Sequence, residues 1–393
     1  MGTDPRTDHR LVGALKALGP DDNTTPVPLG PTAAREQLLD FVTAAETGNE
    51  ALFAALVDGL EPTAGLDHST KTITGPAGND IQLYATRPAN SSDPLPGILY
   101  LHGGAMVMLK GSGPIYARIH DELAVKGLVV IGVEFRNGGG VLGPHPFPAG
   151  LDECAAALDW VHAHRATLGI STLTVAGEWG GDNLVLATAL RAKREGRLAA
   201  IDGVYALVPY ISGLYGAGAK TREATLPSLV ENDGYFMGCD TAAIMAEVYD
   251  PGAEHATDPL CWPYHATVED LSGLPPHAHS VNELDPLSRA PCGPWPAHSM
   301  RAISCSGTSP LTCTTRPSKV CTGSLSTCKR EGASCGAASS APPPPSLAYS
   351  ALFCRPYVCR AGSGLPSAWE RPHLRRSRLG DRHSWDGCRA GRR

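Results

Sequence analysis

The sequence predicts an α/β protein with a mostly parallel, doubly wound sheet, and three observations support that prediction. Apolar segments of strand length alternate with segments of helical spacing between residues 70 and 287, the order that βαβ units produce. The segment 128–135, LVVIGVEF, is apolar over almost its whole length, as in a strand that is buried on both faces of a parallel sheet. Two further strands run directly into glycine turns, at 102–105 and at 177–181.

Before the sheet region, composition and periodicity predict three elements. Residues 1–30 are rich in Pro, Asp, Thr and Gly, which predicts a flexible N-terminus. Residues 31–65 contain apolar side chains at helical spacing and predict one or two helices. Two strand-like runs flank the turn AGND and predict a β-hairpin at about 71–87, as an antiparallel edge of the sheet.

The later elements alternate along the chain. In order, the predicted elements are a strand at 96–101, a helix at 114–126, a strand at 128–135, a helix at 150–168, a strand at 171–177, a helix at 181–195, and strands at 203–209 and within 275–286. His120, His162 and His164 lie on the predicted helices, where we expect them at the surface.

Charge and cysteine content divide the chain near residue 288. Residues 289–393 contain 16 Lys and Arg and 4 Asp and Glu, whereas residues 1–288 contain 17 basic and 35 acidic residues. Of the 12 cysteines, only Cys154, Cys239 and Cys261 precede residue 288, which is typical of a protein from a reducing compartment. An acidic body repels phosphate groups, so we expect no nucleic-acid partner.

The segment 288–393 is predicted to be a basic tail, rich in Cys, Pro and Arg, outside a sheet domain of residues 66–287. It has no sustained helical or strand period, which predicts disorder or the product of a shifted reading frame. A frame shift predicts a helix, a strand and a His-Gly motif in another frame of the coding DNA after codon 287. The tail cysteines contain no C-x-x-C pair, so we expect no metal site.

The missing end of the predicted sheet has a structural consequence. Without a final strand and helix, one sheet edge stays uncovered unless tail residues pair with it. At the other terminus, the sequence MGTDPRTDHR contains no apolar segment of the kind found in secretory signals. No run of 18 apolar residues is present either, so we expect a cytoplasmic protein without a membrane span.

The first motif that indicates chemistry is His102-Gly103-Gly104-Ala105, directly after a predicted strand. Glycines there let the backbone turn so that N–H groups point into a pocket and stabilise a negatively charged oxygen. The same letters also fit an ordinary turn at the end of a strand.

The second motif is Gly177-Glu178-Trp179-Gly180-Gly181, between a predicted strand and a predicted helix. It matches the nucleophile-elbow pattern G-x-S-x-G except that tryptophan replaces the serine. The elbow requires small neighbours because its central residue lies on a strained turn.

The third motif, ELDP at 283–286, follows the last predicted strand. A carboxylate at Asp285 would orient a histidine imidazole, although an Asp after a strand is more often a cap or turn residue. The order of elbow and then Asp is the one found in α/β-hydrolases.

As a set, these motifs resemble the hormone-sensitive-lipase family of α/β-hydrolase esterases over about residues 70–287. The segment Phe135-Arg136-Asn137 leading to HPFP at 145–148 adds to the resemblance. LPSLVENDGYF at 226–236 is similar to the brefeldin-A-esterase-like branch. The resemblance implies an α/β-hydrolase fold with the N-terminal helices of 31–65 as a cap and an incomplete C-terminal part.

The resemblance also implies a serine carboxylic-ester hydrolase that acts on a small-molecule ester or lactone and uses no cofactor or metal. Trp179 stands at the nucleophile position and Asp285 at the position of the triad acid. The oxyanion-hole positions are Gly103, Gly104, Ala105 and Gly180, and the supporting positions are His102, Gly177, Glu178 and Gly181.

Two departures from the family pattern predict that this copy is catalytically impaired. Trp179 has no hydroxyl, so no acyl-enzyme forms there. The tail histidines His298, His373 and His383 lie in no context that resembles the family's catalytic histidine.

Two alternatives stay open at this point. One is a non-hydrolytic role on the same scaffold, as a dehydratase- or cyclase-like enzyme of secondary metabolism or as a ligand-binding protein. The other is an interaction protein that works through its basic tail.

Overall fold

The computed structural model describes residues 2–7, 13, 16, 24 and 26–287, and the backbone of Tyr357–Ala361. The predicted N-terminal segment and tail therefore lie largely outside the described residues. The strands are β1 Leu66–Thr74, β2 Asp80–Pro88, β3 Leu95–Leu101, β4 Val129–Glu134, β5 Ile170–Glu178, β6 Gly203–Leu207, β7 His277–Val281 and β8 Tyr357–Ala361. The α-helices are α1 Arg35–Val57, α2 Pro114–Ala124, α3 Ala149–Ala163, α4 Arg165–Leu168, α5 Gly180–Arg194, α6 Ala219–Thr225, α7 Ser228–Glu231, α8 Cys239–Tyr249 and α9 Val268–Leu271.

The described strands form one eight-stranded sheet in the order β1-β2-β4-β3-β5-β6-β7-β8. Strands β3 to β7 run parallel to one another, while β1 and β2 form an antiparallel hairpin at one edge. Helix α5 packs against β3, β5 and β6, and α2 packs against β2 and β4. This arrangement confirms the predicted α/β class, with a mostly parallel sheet and flanking helices.

The apolar composition of the central strands explains their position. In β4, every residue from Val129 to Val133 is buried, and β5 is buried from Val175 to Glu178. Between β3 and β5 the order of the strands in the sheet reverses, since β4 lies on the other side of β3. Loops after two such strands diverge and leave a crevice at their carboxyl ends. The turns at 102–105 and 177–181 follow these two strands.

Helix α1 is a single helix where the sequence allowed one or two. It buries Leu38, Val42 and Leu56 in the core, together with the carboxylate of Glu46. The helix therefore packs on the sheet domain through a stripe that is apolar except at Glu46.

One surface prediction was wrong. His162 and His164 are exposed, but His120 is only 2% exposed. The ring of His120 packs on β4 where Gly132 has no side chain, because a Cβ at Gly132 would lie 2.2 Å from the ring atom Cε1. Burial lowers the pKa of His120 to about 4, so the ring is neutral at neutral pH.

The outer edge of β7 is not open in the described backbone. Strand β8 pairs antiparallel with it, from His277 opposite Ala361 to Val281 opposite Tyr357. Residues of the predicted tail thus supply the covering strand that the sequence required.

Candidate functional site

The elbow is a strained turn between β5 and α5. Trp179 has φ 51° and ψ −114°. Non-glycine residues rarely adopt this conformation, and those that do are concentrated at functional sites. Its N–H donates to the Leu207 carbonyl at 3.0 Å, and its carbonyl accepts from the N–H groups of Tyr210 at 3.2 Å and Asn183 at 3.3 Å. Hydrogen bonds to β6 and to the first turn of α5 therefore hold the strained conformation.

The glycines around Trp179 are required by close backbone contacts. A Cβ at Gly181 would lie 2.1 Å from the Leu101 carbonyl oxygen, and one at Gly177 would lie 2.7 Å from the same atom. Both distances are far inside van der Waals contact. The G-x-x-x-G spacing therefore lets α5 start directly against the end of β3.

The β3–α2 loop, residues 102–113, contains the HGGA motif and lies against the elbow. Its backbone has positive φ at Gly104 (101°), Ala105 (53°) and Met106 (60°). A Cβ at Gly180 would lie 2.5 Å from Ala105 Cα and 2.6 Å from Ala105 N. Among the hydrogen bonds of the described residues, none uses the N–H groups of Gly104, Ala105 or Gly180. These donors are therefore available at the place where the two turns meet.

Gly103 differs from the other three positions that were predicted to form an oxyanion hole. Its N–H donates to the hydroxyl of Tyr116 at 3.1 Å, and that hydroxyl donates to Glu178 Oε1 at 3.0 Å. The expected role of Gly103 as a donor to a ligand is therefore not supported, because its N–H already has a buried partner.

The side chain of Trp179 lies at the apex of the elbow. It is half-buried, and its ring packs edge-to-face on Phe236, with the ring centroids 6.0 Å apart and the planes at 75°. Phe236 also has a positive φ, of 65°. An aromatic pair thus occupies the position from which a nucleophilic oxygen would project.

Two buried acids flank Trp179 in sequence. Burial raises the pKa of Glu178 to about 7, against the lowering effect of the hydrogen bond from Tyr116. Burial also raises the pKa of Asp182 well above its usual range, and the charge of Glu178 adds to that effect. Asp182 is fully buried, and no side chain of the described residues donates a hydrogen bond to it. Burial thus makes ionisation of both carboxyls less favourable than in water.

His102 is a packed core residue. Its ring is 1% exposed and stacks on Phe135 at a centroid distance of 4.1 Å. Nδ1 lies 2.8 Å from the Gly103 carbonyl oxygen, and burial lowers the pKa of the imidazole. His102 therefore supports the β3–α2 loop as a neutral ring.

Asp285 follows β7 at the same end of the sheet as the elbow. Its carboxylate accepts from the Leu287 N–H at 2.8 Å and, in the described hydrogen bonds, from no histidine. Asn232 donates to the carbonyls of Glu283 and Asp285, both at 3.1 Å. Burial raises the pKa of Asp285 to about 7, although part of its surface stays exposed. Among the described residues, no histidine donates a hydrogen bond to this carboxylate, so the predicted role of Asp285 as a triad acid stays a prediction.

Sequence reasoning missed Glu46 and Glu134, and it named Asn137 without the role that this residue has in holding the β3–α2 loop. Glu46 and Glu134 accept hydrogen bonds from backbone N–H groups of the loop, and Asn137 donates to the Leu109 carbonyl at 2.7 Å. A signal for Glu46 does exist, because it continues the four-residue spacing of Leu38 and Val42 on the buried face of α1.

No group of three metal-ligating side chains is found within the described ranges. No helix within those ranges is both long enough and apolar enough to cross a membrane.

The chain is similar to esterases in sequence and structure. A family with the α/β hydrolase fold matches residues 98–292. The structure of brefeldin A esterase, a bacterial homologue of human hormone-sensitive lipase, is 45% identical over 73% of this chain and 80% of its own, with a TM-score of 0.70. An esterase solved with p-nitrophenol is 36% identical over 74% of this chain and 84% of its own, with a TM-score of 0.64.

Among the curated relatives, carboxylesterase NlhH of Mycobacterium tuberculosis is 33% identical over 53% of this chain. The match spans 62% of the length of that relative. Together with the fold and the two turns at the carboxyl ends of β3 and β5, these similarities settle the family. The chain therefore belongs to the α/β-hydrolase fold family, among the relatives of hormone-sensitive lipase.

Proposed function

We propose that this chain retains the carbonyl-binding site of a carboxylic-ester hydrolase but does not form an acyl-enzyme. The observation that carries the proposal is Trp179 at the strained apex of the elbow, with φ 51° and ψ −114°. An indole has no hydroxyl, and the lone pair of its nitrogen belongs to the aromatic system, so Trp179 has no electron pair with which to attack an ester carbonyl. The unused N–H groups of Gly104, Ala105 and Gly180 support a retained site for the oxygen of a small ester or lactone.

The surroundings of Asp285 further support impaired hydrolysis. In serine hydrolases the acid orients a histidine that takes the proton of the nucleophile. Here the carboxylate of Asp285 accepts from the Leu287 N–H, and burial holds its pKa at about 7. An acid that is partly protonated at neutral pH stabilises an imidazolium less than an ionised carboxylate does.

The test is hydrolysis of short-chain p-nitrophenyl esters by the unchanged protein and by Trp179→Ser. We expect no enzyme-dependent release of p-nitrophenol from either, because the variant supplies a hydroxyl but no base. Hydrolysis by the unchanged protein would overturn the proposal. Hydrolysis by Trp179→Ser alone would show that a working base is present and that Trp179 is the single defect.

A second candidate, non-hydrolytic ligand binding, is favoured by the half-exposed pair of Trp179 and Phe236 beside these N–H groups. An aromatic face next to hydrogen-bond donors suits a flat carbonyl compound, as in a binding protein or a dehydratase- or cyclase-like enzyme of secondary metabolism. Titration with aromatic esters and lactones should quench tryptophan fluorescence saturably, and Trp179→Ala should abolish the response. Trp160→Phe, at a half-buried position of α3, is the matched control and should retain it. A panel with no saturable response in the unchanged protein would reject this candidate.

A further inference from the structure

We infer that Glu46, on the N-terminal helix α1, is a positioning residue for the β3–α2 loop. Its carboxylate links that loop to the 138–143 loop and sets the backbone that presents the N–H groups of Gly104 and Ala105. The inference rests on the proposed carbonyl-binding role of those two N–H groups.

The contacts of Glu46 are those of a buried clamp. The residue is 1% exposed. Its Oε1 accepts from the Leu109 N–H at 2.7 Å, and its Oε2 accepts from the Val141 N–H at 2.7 Å. These partners are 63 and 95 residues away in sequence. Each oxygen therefore accepts a hydrogen bond from a different loop and holds that loop against α1.

The backbone of both loops fits this arrangement. Leu109 has a φ of 75°, which is unfavourable for a residue with a side chain. Gly140 has a φ of 59°, and a Cβ there would lie 2.4 Å from Glu46 Oε2. The glycine therefore makes room for the carboxylate, and the carboxylate offsets the strain at Leu109.

The conformation of Leu109 is transmitted to the candidate site through a tight turn. The N–H groups of Val107 and Met108 both donate to the Gly104 carbonyl, at 3.0 and 3.1 Å. A Cβ at Gly104 would lie 2.1 Å from the Met108 carbonyl oxygen and 3.2 Å from Leu109 Cβ. Residues 104–109 thus form one tight turn, and we expect a change in the backbone of Leu109 to reach the peptides on either side of Gly104.

The same helix provides a matched control one turn further on. Glu50 forms an ion pair with Lys110 at 2.8 Å, with both side chains about one-third exposed. Exposed pairs of this kind contribute little. Glu50→Gln therefore changes a charge on the same helix and beside the same loop, but leaves the buried clamp intact.

The experiment uses the full chain and compares Glu46→Ala, Glu46→Gln and Glu50→Gln by amide hydrogen exchange and by the amide resonances of selectively labelled protein. In Glu46→Ala we expect exchange at Leu109 and Val141 to become about tenfold faster or more, since two buried N–H groups lose their acceptor. The Gly104 and Ala105 resonances should shift. Glu46→Gln keeps one acceptor oxygen, so it should restore protection at one of the two amides. Glu50→Gln should leave all four amides unchanged.

A purely structural role for Glu46 would give a different result. In that case Glu46→Ala would lower protection evenly across β3 to β7 and leave the Gly104 and Ala105 resonances in place, which would overturn the inference. The measurement needs no substrate. If no carbonyl ligand binds but the resonances shift as expected, the proposed function fails and the clamp stands.

Discussion

At the scale of single residues, backbone contacts at the elbow leave no space for a methyl group at Gly181. A Cβ there would lie 2.1 Å from the Leu101 carbonyl oxygen and 2.6 Å from that of His102, and both are backbone atoms that cannot rotate away. We predict that Gly181→Ala lowers the free energy of unfolding by about 1–3 kcal/mol, the usual cost of overpacking. Urea unfolding followed by circular dichroism measures this change.

Gly48 is the matched control for that substitution. It lies within helix α1, it is exposed, and a Cβ there would meet no atom within 4 Å. Gly48→Ala should therefore raise stability by about 0.5–1 kcal/mol, because alanine loses less backbone entropy in a helix. Equal effects of the two substitutions would show that the contact between α5 and the end of β3 is loose.

At the scale of elements, the junction of β5 and α5 should make stability depend on pH. The folded pKa of Glu178 is about 7 against 4.5 for the free side chain, and burial is the main cause. A raised acid pKa stabilises the fold fully below the unfolded value, and this stabilisation is lost as pH rises through about 7. The shift of Glu178 corresponds to about 3 kcal/mol. Asp182 acts in the same direction.

The prediction is tested with Glu178→Gln, which keeps the shape and removes the charge that forms as pH rises through about 7. The variant should melt at a higher temperature than the parent at pH 8, by roughly 2–4 °C or more, and the difference should shrink towards pH 5. Asp67→Asn, at an exposed position of β1, should show no such trend. A difference in Tm that is constant from pH 5 to pH 8 would contradict the role given to the buried carboxyl.

The parts of the fold that could be predicted are the elements whose requirements are written in a short stretch of sequence. The elbow was predictable because the contacts that demand Gly177 and Gly181 lie within one strand–turn–helix unit and recur at fixed spacing. β4 was predictable because burial on both faces requires an uninterrupted apolar run.

Contacts between residues that are far apart in the chain, in contrast, leave no pattern in the local sequence. The partners of Glu46 are distant in sequence, and the ring of His120 is buried against Gly132 on β4. The N–H of Gly103 is used by Tyr116, whose position depends on how α2 packs.

At the scale of the whole molecule, the parallel sheet needs a strand beyond β7, and residues 357–361 supply it. The register runs from His277 opposite Ala361 to Val281 opposite Tyr357. Without this strand, the outer backbone groups of β7 are unpaired, and an open edge of that kind promotes self-association. We predict that a chain ending after residue 356 exchanges its β7 amides faster and self-associates, whereas a chain ending after residue 362 does neither.

The two truncations isolate the pairing because both lack residues 363–393 and differ only by the segment 357–362. Any effect of the removed basic residues beyond 362 is therefore common to both. Hydrogen exchange of His277–Val281 reports the pairing itself, and sedimentation reports self-association. If both chains protect β7 equally and stay monomeric, the edge does not depend on β8. If only the shorter chain loses protection, a stretch of the basic tail is part of the sheet, and the fold extends beyond the region that resembles the family.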